Sequence, residues 1–156
     1  MDLEKQALDI LQTFANDEPY QLGYSGGKDS DVILHLARKS GVKFIAVHNH
    51  TTVDAPETVR YIRRKKDIVI EYPKYSMWQL IVRHKAPPTR RFRYCCMDLK
   101  EYSGKGKKLI TGVRKAESRN RKENQGIITF AKPNKVIREK VDDVNFHKTN
   151  KGGWLY

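Results

Sequence analysis

At 156 residues the chain has the length of one ordinary domain and leaves little room for a second. Hydrophobic residues make up 38% and charged residues 31%, so the apolar side chains must be gathered into a few short elements, and none of the apolar runs approaches the length of a membrane span. Thirty-one Lys and Arg against 18 acidic residues leave a formal net charge of +13, which favours polyanionic partners such as nucleotides, RNA or DNA.

Leu3, Ala7, Ile10, Leu11 and Phe14 recur at helical spacing and predict an amphipathic helix over 2–15, broken by Asn16-Asp17-Glu18-Pro19. Tyr20 to Tyr24 reads as a short buried strand ending at Ser25-Gly26-Gly27. From Asp29 the pattern is helical, with Val32, Ile33, Leu36 and Ala37 on one face and a stop at Ser40-Gly41. Phe44 to Val47 is a second strand. Asp54 as cap, Pro56 and Glu57 then open a helix with Val59 and Ile62 toward the core and Arg60 and Arg63 to Lys66 on the surface. Ile68 to Ile70 is a third strand, and Ser76 starts a helix with a capping box that runs to about Lys85.

Pro87-Pro88 forces a loop, residues 94–102 form a short helix, and Leu109 to Val113 is a fourth strand. Residues 114–125 are highly charged, Gly126 to Phe130 reads as a fifth strand, and mixed short strands and turns follow. Strands alternating with helices predict an α/β fold with a mainly parallel sheet and helices on both faces. Such sheets take ligands at the carboxyl ends of their strands, where loops 25–30, 49–54 and 112–119 would gather.

Chemistry concentrates in Ser25-Gly26-Gly27-Lys28-Asp29-Ser30, between a strand and a helix. Two glycines let a phosphate approach backbone N–H groups, and the helix start aims unpaired N–H groups and a positive dipole at the same spot. Lys28 adds a point charge, and the Ser25 and Ser30 hydroxyls can donate. Asp29 suits such a place if Mg2+ sits between carboxylate and phosphate. The usual phosphate loop of the kinase-like ATPases is excluded: it needs Gly where Leu22 stands and Ser or Thr where Asp29 stands.

This six-residue loop resembles the PP-loop of the ATP pyrophosphatase superfamily. More narrowly, the chain is similar to the phosphoadenosine phosphosulfate reductase family. Pro56-Glu57-Thr58 is similar to that family's second nucleotide-contacting segment, and Gly112-Val113-Arg114 with Glu117-Ser118-Arg119 to the basic segment after its fourth strand. The resemblance implies one nucleotide-binding domain over 1–156, Rossmann-like, with a five-stranded, mainly parallel sheet holding an adenine nucleotide (ATP or phosphoadenosine phosphosulfate) across its carboxyl edge. It implies nucleotide contacts from Ser25, Gly26, Gly27, Lys28, Asp29, Ser30, His48, Thr51, Gly112, Arg114 and Arg119, with Asp29 also the metal ligand. Loops reading Ser-Gly-Gly-x-Asp-Ser accompany cleavage of ATP between the α and β phosphates in this family, so Lys28, Asp29 and Arg114 are the expected catalytic residues of an adenylyl transfer. Relatives continue past Gly152-Gly153-Trp154-Leu155-Tyr156, so a shortened family member is expected.

Cys95-Cys96 resembles a cysteine pair that in some relatives joins two further cysteines around an iron–sulfur cluster. The common clusters take four thiolates and this chain has two, so a complete cluster within one chain is not expected. Arg90, Arg91, Arg93 and Lys100 could lower a thiol pKa, which keeps open a sulfonucleotide reductase or sulfur-transfer activity with Cys95 or Cys96 as nucleophile; both could equally be small buried hydrophobes. A third reading is a non-enzymatic nucleotide or nucleic-acid-binding module that uses the basic surface and works as a homo-oligomer or with a partner subunit. His48 and His50 after the second strand are a weak metal signal without a third ligand. Adjacent cysteines form no disulfide framework, and Met1-Asp2-Leu3-Glu4 lacks a signal-peptide design, so a cytoplasmic protein is expected.

Overall fold

Short apolar runs alternate with amphipathic stretches along the first two thirds of the chain, and each run becomes a strand. The structure is a computed structural model that describes residues 2–100, 102–104 and 106–112 in full, and the strands 128–132, 135–141 and 154–155 by their backbone. In chain order the elements are α1 (Leu3–Thr13), β1 (Tyr20–Gly23), α2 (Lys28–Ser40), β2 (Phe44–Asn49), α3 (Pro56–Arg63), β3 (Ile68–Glu71), α4 (Met77–His84), α5 (Tyr94–Leu99), β4 (Leu109–Ile110), β5 (Ile128–Lys132), β6 (Lys135–Val141) and β7 (Trp154–Leu155).

The first four strands pair in parallel in the order β3-β2-β1-β4. Register places Leu22 beside Ala46 and Ile110, and Ala46 beside Ile68, so one row of apolar side chains crosses all four strands. Helices α2 and α3 cover that face. Leu34 and Ala37 of α2 and Ile62 of α3 pack with Leu22, Tyr24, Ala46 and Ile68, and Leu22, Ala37 and Ile62 are fully buried. Two right-handed crossovers running the same way across the sheet put both helices on one side.

The pleat turns Gln21 and Asn49 to the opposite face. There Gln21 Nε2 donates to Ser103 Oγ (2.9 Å), Ser103 Oγ donates to Asn49 Oδ1 (2.8 Å), and Asn49 Nδ2 donates to the Lys100 carbonyl (2.6 Å). The segment after α5 is thereby fastened to this second face. Its neighbours α4 and α5 form a separate cluster around Leu80, Tyr94 and Leu99. Helix α1 docks on α2 through Gln12 Nε2 to the Ser40 carbonyl (3.0 Å) and Lys39 to Glu4 (2.6 Å).

Two expectations change. The described parallel sheet has four strands, not five, because β5 joins an antiparallel sheet of order β6-β5-β7. Only Pro133-Asn134 separates β5 from β6, far too little for the crossover a parallel pair requires. Asp54 is not the cap of α3: Ala55 holds that position, with no side-chain hydrogen bond, while the Asp54 carboxylate accepts the Thr51 N–H at 2.7 Å.

Candidate functional site

Strands β1, β2 and β3 advance in one direction and β4 lies on the other side of β1, so the winding reverses between β1 and β4. At such a point the carboxyl ends of neighbouring strands part and leave a crevice. Loop 25–30 rises there. Tyr24 still bonds to the sheet, its N–H donating to the Val47 carbonyl at 2.8 Å, and the loop departs at the next residue.

Gly26 turns the chain with φ +80°, a left-handed conformation. A Cβ there would lie 3.1 Å from Ile62 Cδ1 and 3.3 Å from Thr58 Cγ2, so the loop lies tightly on α3. Gly27 is the N-cap of α2 and no side chain caps the helix. Helix α3 likewise has no side-chain cap, whereas Asp2 caps α1 and Ser76 with Gln79 forms a reciprocal capping box on α4. The first turn of α2 thus lacks the side-chain oxygen that shields the starts of α1 and α4. Ser30, buried, donates its hydroxyl to the Gly27 carbonyl at 2.7 Å and sits 3.3 Å from Ser25 Oγ, which also accepts the Gly27 N–H at 3.4 Å. These two hydroxyls brace the bend from within. Lys28 is exposed and Asp29 half-buried in the first turn.

Gly112, just past β4, reaches the same helix. A Cβ on it would come within 2.4 Å of Ile33 Cδ1 and 3.6 Å of the Asp29 carbonyl, so β4 ends in close contact with α2, and a larger residue would require the Ile33 side chain to shift. The structure therefore brings Gly112 against the loop's helix. Arg114 and Arg119 lie outside the described residues, as does the charged segment around them.

Asp31, unremarked in the sequence, is the most heavily bonded residue of the first turn. Its carboxylate accepts from Tyr24 Oη (2.6 Å), Lys65 Nζ (2.6 Å) and Tyr61 Oη (3.1 Å). The Lys65 ammonium, and after it the Tyr24 hydroxyl, hold this carboxyl below its ordinary value against partial burial. Lys65 is raised in return, chiefly by Asp31, and burial followed by the Asp31 bond pushes Tyr24 up to about 12. Lys65 is therefore a half-buried structural cation, in contrast to the surface position expected for it. Residues 34 apart carry no pairing signal in one sequence; the only local cue was an acidic residue in a helix's first turn.

His48 and Thr51 are buried at 5% and 6% exposure and stand behind the loop. His48 Nδ1 lies 3.0 Å from the Tyr24 carbonyl, at the loop's root. Thr52 beside them has φ +65°, strained for a β-branched residue by about 1–3 kcal/mol. Its hydroxyl accepts the Met77 N–H at 2.9 Å and so ties this turn to α4. Burial alone would raise the Asp54 carboxyl, but bonds from Thr51 and the nearby His48 and His50 outweigh it and hold the group low.

Cys95 and Cys96 sit apart, on α5. Burial, and then the adjacent Cys96, pushes the Cys95 thiol up, opposite to the lowering expected from the nearby arginines. Cys95 packs against the Leu80–Tyr94–Leu99 cluster, and Cys96 Sγ accepts from Arg93 at 3.4 Å.

A parallel α/β sheet with a glycine-capped, side-chain-uncapped helix at its switch point defines a Rossmann-like domain of the PP-loop type. The family model described as the phosphoadenosine phosphosulfate reductase domain matches residues 19–139, and the chain belongs to that family of nucleotide-utilising proteins. A search among curated proteins returned no significant match.

Proposed function

We propose that the protein binds ATP across the carboxyl edge of the four-stranded sheet, cleaves it between the α and β phosphates, and adenylates an acceptor. The observation that carries this reading is the N-terminus of α2: it is capped by Gly27 with no side-chain hydrogen bond and preceded by left-handed Gly26. A polyphosphate there would meet first-turn N–H groups, the helix dipole and Lys28 together. An acceptor oxygen attacks the α phosphorus, the bond to the bridging α–β oxygen breaks, and its electron pair leaves with pyrophosphate. The loop amides and Lys28 stabilise that departing charge, and Arg114 is assigned from the sequence as a bidentate clamp on it.

Asp29 occupies the same first turn as the phosphate-facing amides, and one carboxylate plus phosphate oxygens is the donor set Mg2+ accepts. When bound, the ion supplies charge neutralisation and orientation for the phosphates. The reductase alternative receives less support, since the Cys95 thiol is raised.

ATP–pyrophosphate exchange tests the proposal. Exchange should be measurable with cell extract as the source of acceptor, and Asp29→Ala should lower it by about 10²-fold or more. Absence of exchange with every extract, or full exchange in the variant, would overturn it.

A further inference from the structure

We infer that His48, His50 and Asp54 form a binding site for one divalent first-row metal ion of the zinc type, separate from any Mg2+ at the glycine loop and independent of the ATP reading. The site forms where β2 ends. His48 belongs to the last turn of pleat, His50 follows the strand with its N–H donating to the Glu71 carbonyl at 2.9 Å, and the chain folds back through Thr52 to present Asp54. One donor atom from each side chain lies within 4.8 Å of the other two. His50 Nδ1 is 3.2 Å from Asp54 Oδ2, and His48 Nε2 is 3.9 Å from the same oxygen. Four-coordinate zinc with bonds near 2.0 Å keeps its ligand atoms about 3.3 Å apart. One edge of that figure is already formed, and the others close by small side-chain rotations.

The second observation concerns the tautomer of His48. Its Nδ1 faces the Tyr24 carbonyl at 3.0 Å, and a carbonyl can only accept, so Nδ1 carries the proton. In the neutral form of the ring, Nε2 then presents a bare lone pair. That atom is buried, its side chain 7% exposed, and it has no hydrogen-bond partner among the described residues. With the ring neutral it faces a carboxylate oxygen beyond hydrogen-bond reach, and two acceptors confront each other in a low-dielectric place. A cation bound by both removes the conflict. Fixing a ligating histidine through its other ring nitrogen on a backbone carbonyl is the outer-shell arrangement metal sites use. Two imidazoles and one carboxylate suit Zn2+, Fe2+, Co2+ or Ni2+, whereas Mg2+ prefers oxygen donors and keeps its waters. With three protein ligands, the ion would retain an open position beside the root of the glycine loop.

The full chain, stripped with chelator, is titrated with Zn2+ by calorimetry and with Co2+ by visible absorption. One equivalent should bind, with a Co2+ spectrum of four- or five-coordinate nitrogen–oxygen ligation. His50→Ala and Asp54→Asn, both at partly exposed positions, should each weaken binding at least tenfold. The Cys95→Ser/Cys96→Ser double variant and His84→Ala should leave affinity and stoichiometry unchanged, and a hundredfold excess of Mg2+ should not compete. Histidine ring NMR on the unaltered protein decides the matter even if a variant unfolds: Zn2+ must shift the nitrogens of His48 and His50. Unshifted rings, or binding that survives both His50→Ala and Asp54→Asn, would overturn the site.

Discussion

Asp31 stands in the first turn of the helix that faces the proposed phosphates, yet its charge is directed at Lys65. Two consequences follow at the level of single residues. Its folded-state pKa lies below the unfolded value of about 3.9, so its contribution to stability is complete at neutral pH and is lost as pH falls through the depressed value. Asp31→Asn should flatten the acid limb of a stability profile taken by urea unfolding between about pH 5 and pH 2, by about 1 kcal/mol or less because the pair is partly solvated. Gly26 is a second such residue. Gly26→Ala places a Cβ on a left-handed backbone and 3.1 Å from Ile62, and should destabilise the fold by about 1–2 kcal/mol in chemical denaturation while also weakening ATP binding. Gly27→Ala, at φ −90°, should be tolerated by the fold.

Helix starts divide into closed and open ones. The box at Ser76 closes α4, so Ser76→Ala should cost about 1 kcal/mol of stability and leave ATP affinity unchanged; a matching loss of affinity would show that the two ends are not independent. Element identity was largely legible in the residues, since α1, α2, α4 and the first three strands appear within one to three residues of their predicted limits. Periodicity reports which residues share a face, and a glycine between strand and helix reports a loop. It does not report partners. The run near Phe130 was readable as a strand, but its assignment to the parallel sheet ignored the two-residue gap at Pro133-Asn134, the one local cue for a hairpin. Asp54 looked like a cap because Pro56 and Glu57 follow it; the competing acceptor role toward Thr51 arises from the turn around Thr52, which nothing in a Thr-Thr-Val-Asp run announces.

Across the molecule, the two faces of the parallel sheet are held by different physics: an apolar row under α2 and α3, and a polar chain on the other side that runs from buried Gln21 out to exposed Lys100. The polar chain was invisible in sequence because its members lie 51 to 82 residues apart. A ligand that binds only the folded state adds to the stability of the whole. ATP with Mg2+ at a hundredfold over its dissociation constant should contribute about 2.7 kcal/mol, seen as a rise in Tm of about 5 to 10 °C. An unchanged Tm under those conditions would count against nucleotide binding at the glycine loop.

The bonds that Asp31 makes to Tyr24, Tyr61 and Lys65 join the end of β1, the start of α2 and the C-terminal end of α3 in a single knot. Such a knot makes it costly for any one of these pieces to fray alone. Amide protons in the first turns of α2 and in α3 should therefore exchange with solvent at a common free energy of opening, as one cooperative unit. Lys65→Met should split that unit, so that the beginning of α2 exchanges ahead of α3.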